Sequence, residues 1–198
     1  TFPLELRIPE WSRGYTLTIN GVKCEATEKR KGTICIEREW KDGDKITLKM
    51  NAEVNVTRWY DNAAVVERGP LVYALRMEEN WSKHRCEGEE KKKWGEYYYE
   101  VTSPDAWNYA LKSNDIRIEN IKDAFIVEKK EISDSPWSLD NAPILIKCKG
   151  IKLDDWKMSR NSAGEINYNT QMVTGGELGE EEEITLIPYG CTTLRITE

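Results

Sequence analysis

Apolar residues in this 198-residue chain return at every second position almost from end to end. Leu4, Leu6 and Ile8 repeat this way, as do Tyr15, Leu17 and Ile19, then Ile46, Leu48 and Met50, then Ile144, Ile146 and Cys148, and finally Leu194 and Ile196. Successive side chains of a strand point to opposite faces, so this spacing predicts half-buried strands with one face on a core. No comparable stretch places apolar residues at helical spacing. The best helical candidate, Ser103 to Leu111, has Ser103 to cap it and Pro104 for its first turn, but Trp107, Tyr109 and Leu111 also alternate, which favours a turn followed by a strand. Short strands separated by Gly- and Pro-bearing turns do not build a βαβ sheet. The fold class that follows is all-β, with two packed antiparallel β-sandwich units.

Turn chemistry subdivides the pattern. Asn20-Gly21 and Asp42-Gly43 readily take positive φ, and each precedes a fresh alternating run, which predicts two hairpins in the opening segment. Leu71 to Leu75 has no polar alternation and reads as a strand covered on both sides, entered through Gly69-Pro70. We place a seam near Asn62: residues 1–62 form the first unit, and residues 63–198 the second, opened by a strand at Ala63 to Val66. The polar segment from Asn80 to Glu100 interrupts the alternation and reads as an insertion in the second unit. A first unit of that size is small for a sandwich, so a partial one is expected.

Charge and composition exclude several classes. The chain carries 29 basic and 35 acidic residues, a net charge of -6, with no basic stripe interleaved with aromatics, which argues against nucleic acid as a partner. The longest wholly apolar run, Leu71 to Leu75, is far short of the ~20 residues of a membrane helix, so no membrane span is expected. Lys91 to Lys93 and Glu180 to Glu183 read as solvated loop surface. The five cysteines and the single histidine, His84, show no zinc-site spacing, and Cys148 falls in phase with Ile144 and Ile146 as a small buried thiol. Glycoside hydrolysis needs two carboxyl groups held at a set distance, whereas Asp154-Asp155 and Glu78-Glu79 are adjacent pairs that a strand would send to opposite faces. His84 lies in a Lys-, Arg- and Glu-rich loop candidate without a nucleophile-elbow motif.

Three segments carry more specific information: Leu6-Arg-Ile-Pro-Glu-Trp11, Arg68-Gly-Pro-Leu-Val-Tyr-Ala74, and Glu183 to Thr197 with its Pro188-Tyr189-Gly190-Cys191 corner. In order with Asn20-Gly21, Arg38 to Asp44, Trp107 to Leu111 and Ala142 to Trp156, they resemble the C-terminal β-sandwich region of the β-L-arabinofuranosidase-like glycoside hydrolases. The resemblance implies that catalysis belongs to an upstream α-helical barrel, where a cysteine nucleophile stands beside a zinc ion bound by cysteines and a glutamate. None of those motif positions falls within this chain. It therefore implies no catalytic residue, no metal ligand and no cofactor here, and a catalytic barrel of the same parent chain as partner. Family members place further strands before the segment matching Leu4 to Ile8, which accounts for a partial first sandwich. Thr1 then reads as a cut inside a longer protein, and the apolar edge around Leu4 to Ile8 and Trp11 offers a contact for a second copy.

Eight tryptophans and nine tyrosines form the remaining signal. Trp40, Tyr73 and Tyr109 lie in patterned strands and should fill cores. Three consecutive tyrosines cannot all face one core, so Trp94, Tyr97, Tyr98 and Tyr99, together with Trp59 and Tyr60 near the seam, are candidates for interdomain packing or a weak glycan contact. Arg68, Gly69, Pro70, Pro188, Tyr189 and Gly190 are read as structural, with Tyr189 buried in its corner. The function expected is a non-catalytic accessory region bracing the barrel, with a binding module for plant-type glycans as the alternative.

Overall fold

The computed structural model describes residues 1–59, 63–112, 115, 117, 119–164 and 179–196. Half of the described residues are strand and only 8% are helix, so the all-β class holds. It divides into two compact units, Thr1–Val54 with Arg68–Pro70, and Asn55–Glu67 with Leu71–Glu198.

The first unit contains β1 (Phe2–Arg7), β2 (Ser12–Ile19), β3 (Val22–Lys23), β4 (Thr27–Arg30), β5 (Thr33–Arg38) and β6 (Ile46–Ala52). They form two three-stranded antiparallel sheets, ordered β1-β5-β4 and β3-β2-β6. Leu17 and Ile19 from one sheet meet Ile34 and Ile36 from the other in a single core, and Leu6, Ile8, Trp40, Ile46 and Leu48 pack against it. The alternation thus does what the period demands, with both sheets turning their apolar face to one interior. Leu6 and Ile8, expected in an exposed patch, are drawn inward onto this core, and among the described residues β1 pairs on one edge only.

Asn20-Gly21 closes the β2–β3 hairpin with φ of 53° and 81°, the positive values a two-residue loop needs. Asp42-Gly43 turns but makes no hairpin, because β5 and β6 belong to different sheets. The second hairpin instead joins β4 to β5, with Gly32 at φ 72° in its loop. The β2–β3 turn and the β5–β6 crossing are bolted together: Asn20 Nδ2 donates to Asp44 Oδ1 at 2.8 Å, and the Lys45 amide donates to Asn20 Oδ1 at 2.8 Å. The Lys41 amide and the Asn20 side chain hold the Asp44 carboxyl below its ordinary range.

The second unit is built on a seven-stranded sheet. Its strands are β7 (Val54–Arg58), β8 (Ala64–Arg68), β9 (Leu71–Leu75), β12 (Tyr109–Leu111), β13 (Ile126–Lys129), β14 (Ile144–Lys152) and β17 (Glu181–Pro188). The order is β12-β14-β17-β9-β8-β7, with β13 continuing β12 along the same edge of β14. The compact units part at Val54, ahead of the seam expected near Asn62, because β7 and β8 are neighbours in this sheet. Tyr73, Ala74 and Leu75 are all buried on β9, as a strand covered on both sides requires. The last strand, β17, lies between β14 and β9, and its Ile184, Leu186 and Ile187 are buried.

Outside the large sheet, β10 (Asn80–Arg85), the short helix α1 (Gly88–Trp94) and β11 (Tyr97–Thr102) form one arm. The segment read as an insertion contains a regular antiparallel hairpin, in register from Asn80↔Thr102 to Arg85↔Tyr97. A second helix, α2 (Ile121–Ala124), buries Ile121, and β15 (Met158–Ser159) pairs with β16 (Ser162–Ala163).

Candidate functional site

The arm collects most of the aromatic residues singled out in the sequence. From the register, one face carries Trp81, Lys83 and Arg85 opposite Val101, Tyr99 and Tyr97, and the other carries Ser82 and His84 opposite Glu100 and Tyr98. Tyr97 to Tyr99 therefore lie on a strand and alternate between its faces. Trp81, Tyr97 and Tyr99 are 56%, 47% and 57% exposed. The Trp81 and Tyr99 rings meet edge-on, 5.9 Å apart at an interplanar angle of 68°. Lys83 Nζ stands 4.0 Å from the centre of the Tyr97 ring and 5.9 Å from that of Tyr99. On the opposite face His84 stacks on Tyr98 at 5.1 Å, with its Nε2 3.3 Å from Glu100 Oε2. Trp94 ends α1, exposed, with Lys93 above its ring at 4.7 Å.

Glu79 fixes the foot of the arm. Its Oε1 accepts from the Thr192 hydroxyl at 2.8 Å and the Thr193 amide at 2.6 Å, while Oε2 accepts from Trp81 Nε1 at 3.2 Å. Partial burial pushes this carboxyl up, but the Thr193, Thr192 and Trp81 hydrogen bonds together hold it below the ordinary range. One side chain thus ties the arm and the indole to the C-terminal turn.

The remaining sequence candidates separate. Trp59 is exposed after β7, its indole donating to Thr57 Oγ1 at 2.9 Å, and Tyr60 lies outside the described residues. Arg68 ends β8, and Gly69-Pro70 makes the turn into β9. Gly69 has φ 61°, and a Cβ there would lie 3.2 Å from the Ala52 Cβ and 4.0 Å from the Trp11 ring. Pro188 is fully buried and ends β17, but Tyr189 is 39% exposed in a 3-10 turn, with the Arg195 guanidinium 5.0 Å from its ring centre. Burial at this corner belongs to Pro188, Cys191 and Thr192, while Gly190 faces the Trp137 ring. The expected strand after the corner does not form across residues 192–196, and Arg195 has φ 57°. Thr197 lies outside the described residues.

Acidic groups and thiols are committed elsewhere. The run at Glu181 to Glu183 opens β17 and is not loop surface: Glu181 pairs with Lys112 and Lys149, and Glu182 Oε2 accepts from the Tyr109 hydroxyl at 2.7 Å. Burial, reinforced by Glu182, pushes the Tyr109 phenol up to about 12. Cys148 is buried on β14, as its phase implies, and burial pushes its thiol up to about 12. Such a thiol stays protonated and makes a poor nucleophile or zinc ligand. Among the described residues no three His, Cys, Asp or Glu side chains converge as a metal site.

Sequence reasoning missed Trp81, Lys83, His84 and Glu79 as members of this surface. The available signal was the alternation of Trp81, Lys83 and Arg85 facing that of Tyr97, Tyr99 and Val101.

Residues 1–52 match the family model of the middle domain of GH127 β-L-arabinofuranosidases. The fold is similar to the crystal structure of a GH127 β-L-arabinofuranosidase from Geobacillus stearothermophilus, at 22% identity and a TM-score of 0.56, over 98% of this chain and 25% of that one. A structure described as a glycoside hydrolase matches at 23% identity and a TM-score of 0.52, over 96% of this chain and 25% of that one. A further GH127 β-arabinofuranosidase matches at 18% identity and a TM-score of 0.55, again over 96% of this chain and 25% of that one. This chain spans about a quarter of the length of these structures. No curated protein matches. The resemblance read from the sequence stands: the opening segment corresponds to a GH127 middle domain, and the rest shares the fold of the same enzymes.

Proposed function

We propose that this chain is a non-catalytic accessory β-sandwich region of a glycoside hydrolase resembling the β-L-arabinofuranosidases, and that it braces the catalytic barrel of the same parent chain. The observation that carries this reading is the employment of its reactive side chains as fasteners. Glu79 holds a turn, Glu181 and Glu182 hold β17 to its neighbours, and Cys148 is a protonated core thiol. A hydrolase needs free carboxyl groups converging on one sugar bond or an ionised nucleophile, and these groups supply neither. Catalysis and zinc, in this reading, belong to the barrel.

The test uses a chromogenic β-L-arabinofuranoside with the chain alone, the barrel alone, and the two joined. The expected result is no turnover and no stoichiometric zinc for the chain alone, with a higher melting temperature for the joined barrel than for the barrel alone. Turnover by the chain alone, abolished by chelator or by a single Cys→Ala change, would sink the non-catalytic reading. Equal barrel stability with and without the chain would sink the bracing role.

A further inference from the structure

We propose that the exposed face of the β10–β11 arm binds an anionic glycan, an oligosaccharide bearing uronic-acid carboxylates, with Trp81 and Tyr99 holding the sugar and Lys83 and Arg85 holding its charge. This role is additional to bracing the barrel and does not depend on it.

The first ground is the exposure of the rings. A two-stranded hairpin buries too little to support large apolar side chains on its own account, but this one presents three half-exposed aromatic residues on one face. Trp81 and Tyr99 meet at 68°, forming an open corner that can contact a sugar ring from its apolar face and its edge together. The indole is held in place by its donation to Glu79, so part of the ordering needed for binding is present beforehand.

The second ground is charge. Several cations of this acidic chain are paired, Lys29 with Glu5, Lys31 with Glu10, Lys91 with Glu96, Lys147 with Glu128 and Lys149 with Glu181. The arm's aromatic face carries two that are not. In register it carries no acidic residue, and among the described residues neither Lys83 nor Arg85 has a carboxylate within 4.0 Å. The nearest acid in phase, Glu79, keeps its charge but turns its oxygens to Thr192, Thr193 and Trp81 and makes no ion pair with Lys83 or Arg85. Lys83 lies over Tyr97, which leaves Trp81 and Tyr99 as the open rings and sets its ammonium beside them.

Rings alone would suit a neutral sugar, and cations alone any polyanion. Their interleaving on one strand pair, with same-face residues of a strand about 7 Å apart, suits an extended chain that is both sugar and acid. An acidic protein would satisfy the cations without needing open rings.

Calorimetric titration of the full chain with a short oligogalacturonide, a carboxylated sugar polymer, tests this. Binding that weakens with added salt is expected, together with about tenfold loss in K83Q/R85Q and in Tyr99→Ala, from loss of two exposed charge contacts or one ring. Both variants change exposed groups, so their melting temperatures should match the parent chain. The fully methyl-esterified oligomer, with the same rings and no charge, should bind at least about tenfold more weakly. Absence of binding at millimolar ligand overturns the proposal, as does equal binding of the esterified oligomer. Equal binding of polyglutamate would reassign the face to acidic polymers in general. Self-association by light scattering that vanishes in Tyr99→Ala would reassign it to a second copy of the chain.

Discussion

Replacing Glu79 by Ala removes the acceptor for three donors at once: the Thr192 hydroxyl, the Thr193 amide and the Trp81 indole. Hydrogen bonds to a charged group contribute about 1.5–3 kcal/mol each when their partners are otherwise unsatisfied. Here two donors share one oxygen, and the half-buried site admits water to the donors left behind. We therefore expect a net loss of about 2 kcal/mol, less than a simple sum of three bonds. For a chain of this length that corresponds to a melting shift of about 4–8 °C in the transition of the second unit, read by scanning calorimetry. The pH dependence follows from the direction of the shift. The folded carboxyl lies below its ordinary value of 4.5, so its contribution is fully present above that value and is lost as pH falls through the lower folded value. The gap between parent and Glu79→Ala should stay constant from neutral pH down to about 5 and shrink below 4.5. Glu79→Gln keeps an acceptor but turns an amide donor towards the indole or the threonines, and should lie between the two with no acid-dependent narrowing of its own. A gap that persists unchanged to pH 3, or no gap at neutral pH, would refute the assignment of Glu79 as an ionised clamp.

Two further outcomes separate backbone from packing and burial from reactivity. Gly69→Ala forces a side chain onto φ 61° and against Ala52 and Trp11, whereas Gly43→Ala meets only the conformational cost at φ 82° in open space. The first should lose about 1 kcal/mol more in chemical unfolding, and equal losses would show that the Gly69 contact is immaterial. Cys148, with its thiol pushed up to about 12, should stay unmodified by iodoacetamide at pH 8 in the folded chain while the half-buried Cys24 and Cys35 react. Labelling of Cys148 ahead of those two, seen by peptide mass spectrometry, would contradict its place in the core.

Strands were legible wherever one face is buried, because alternation is a signal of burial. Leu17 with Ile19 and Ile146 with Cys148 announce their strands for that reason. The β10–β11 arm is as regular, but with both faces largely exposed it carries no apolar–polar contrast, and its residues read as an insertion. Turn chemistry had a matching limit. Asp42-Gly43 specifies a sharp change of direction and is silent on which sheet the next strand joins, so a crossing between sheets looked like a hairpin. Tyr189 follows the same logic: strand alternation stops at Pro188, and in a 3-10 turn it no longer dictates where a side chain points. Trp81 and Lys83 became a site only through pairing with residues some twenty positions later, which a single strand's pattern cannot reveal.

The bolt between Asn20 and Asp44 also gives the first unit a chemical clock. Asn-Gly is the dipeptide in which a side-chain amide is most readily lost, because the following glycine does not obstruct attack by its own backbone nitrogen. In this fold the Asn20 amide nitrogen is the group that donates to Asp44, whose carboxyl is held in its charged form. Loss of that nitrogen would leave two carboxylates facing each other where a donor and an acceptor had met 2.8 Å apart. Deamidation would therefore convert the fastening between the β2–β3 turn and the β5–β6 crossing into a repulsion, loosening the first unit at the turn that carries the chain from one sheet to the other.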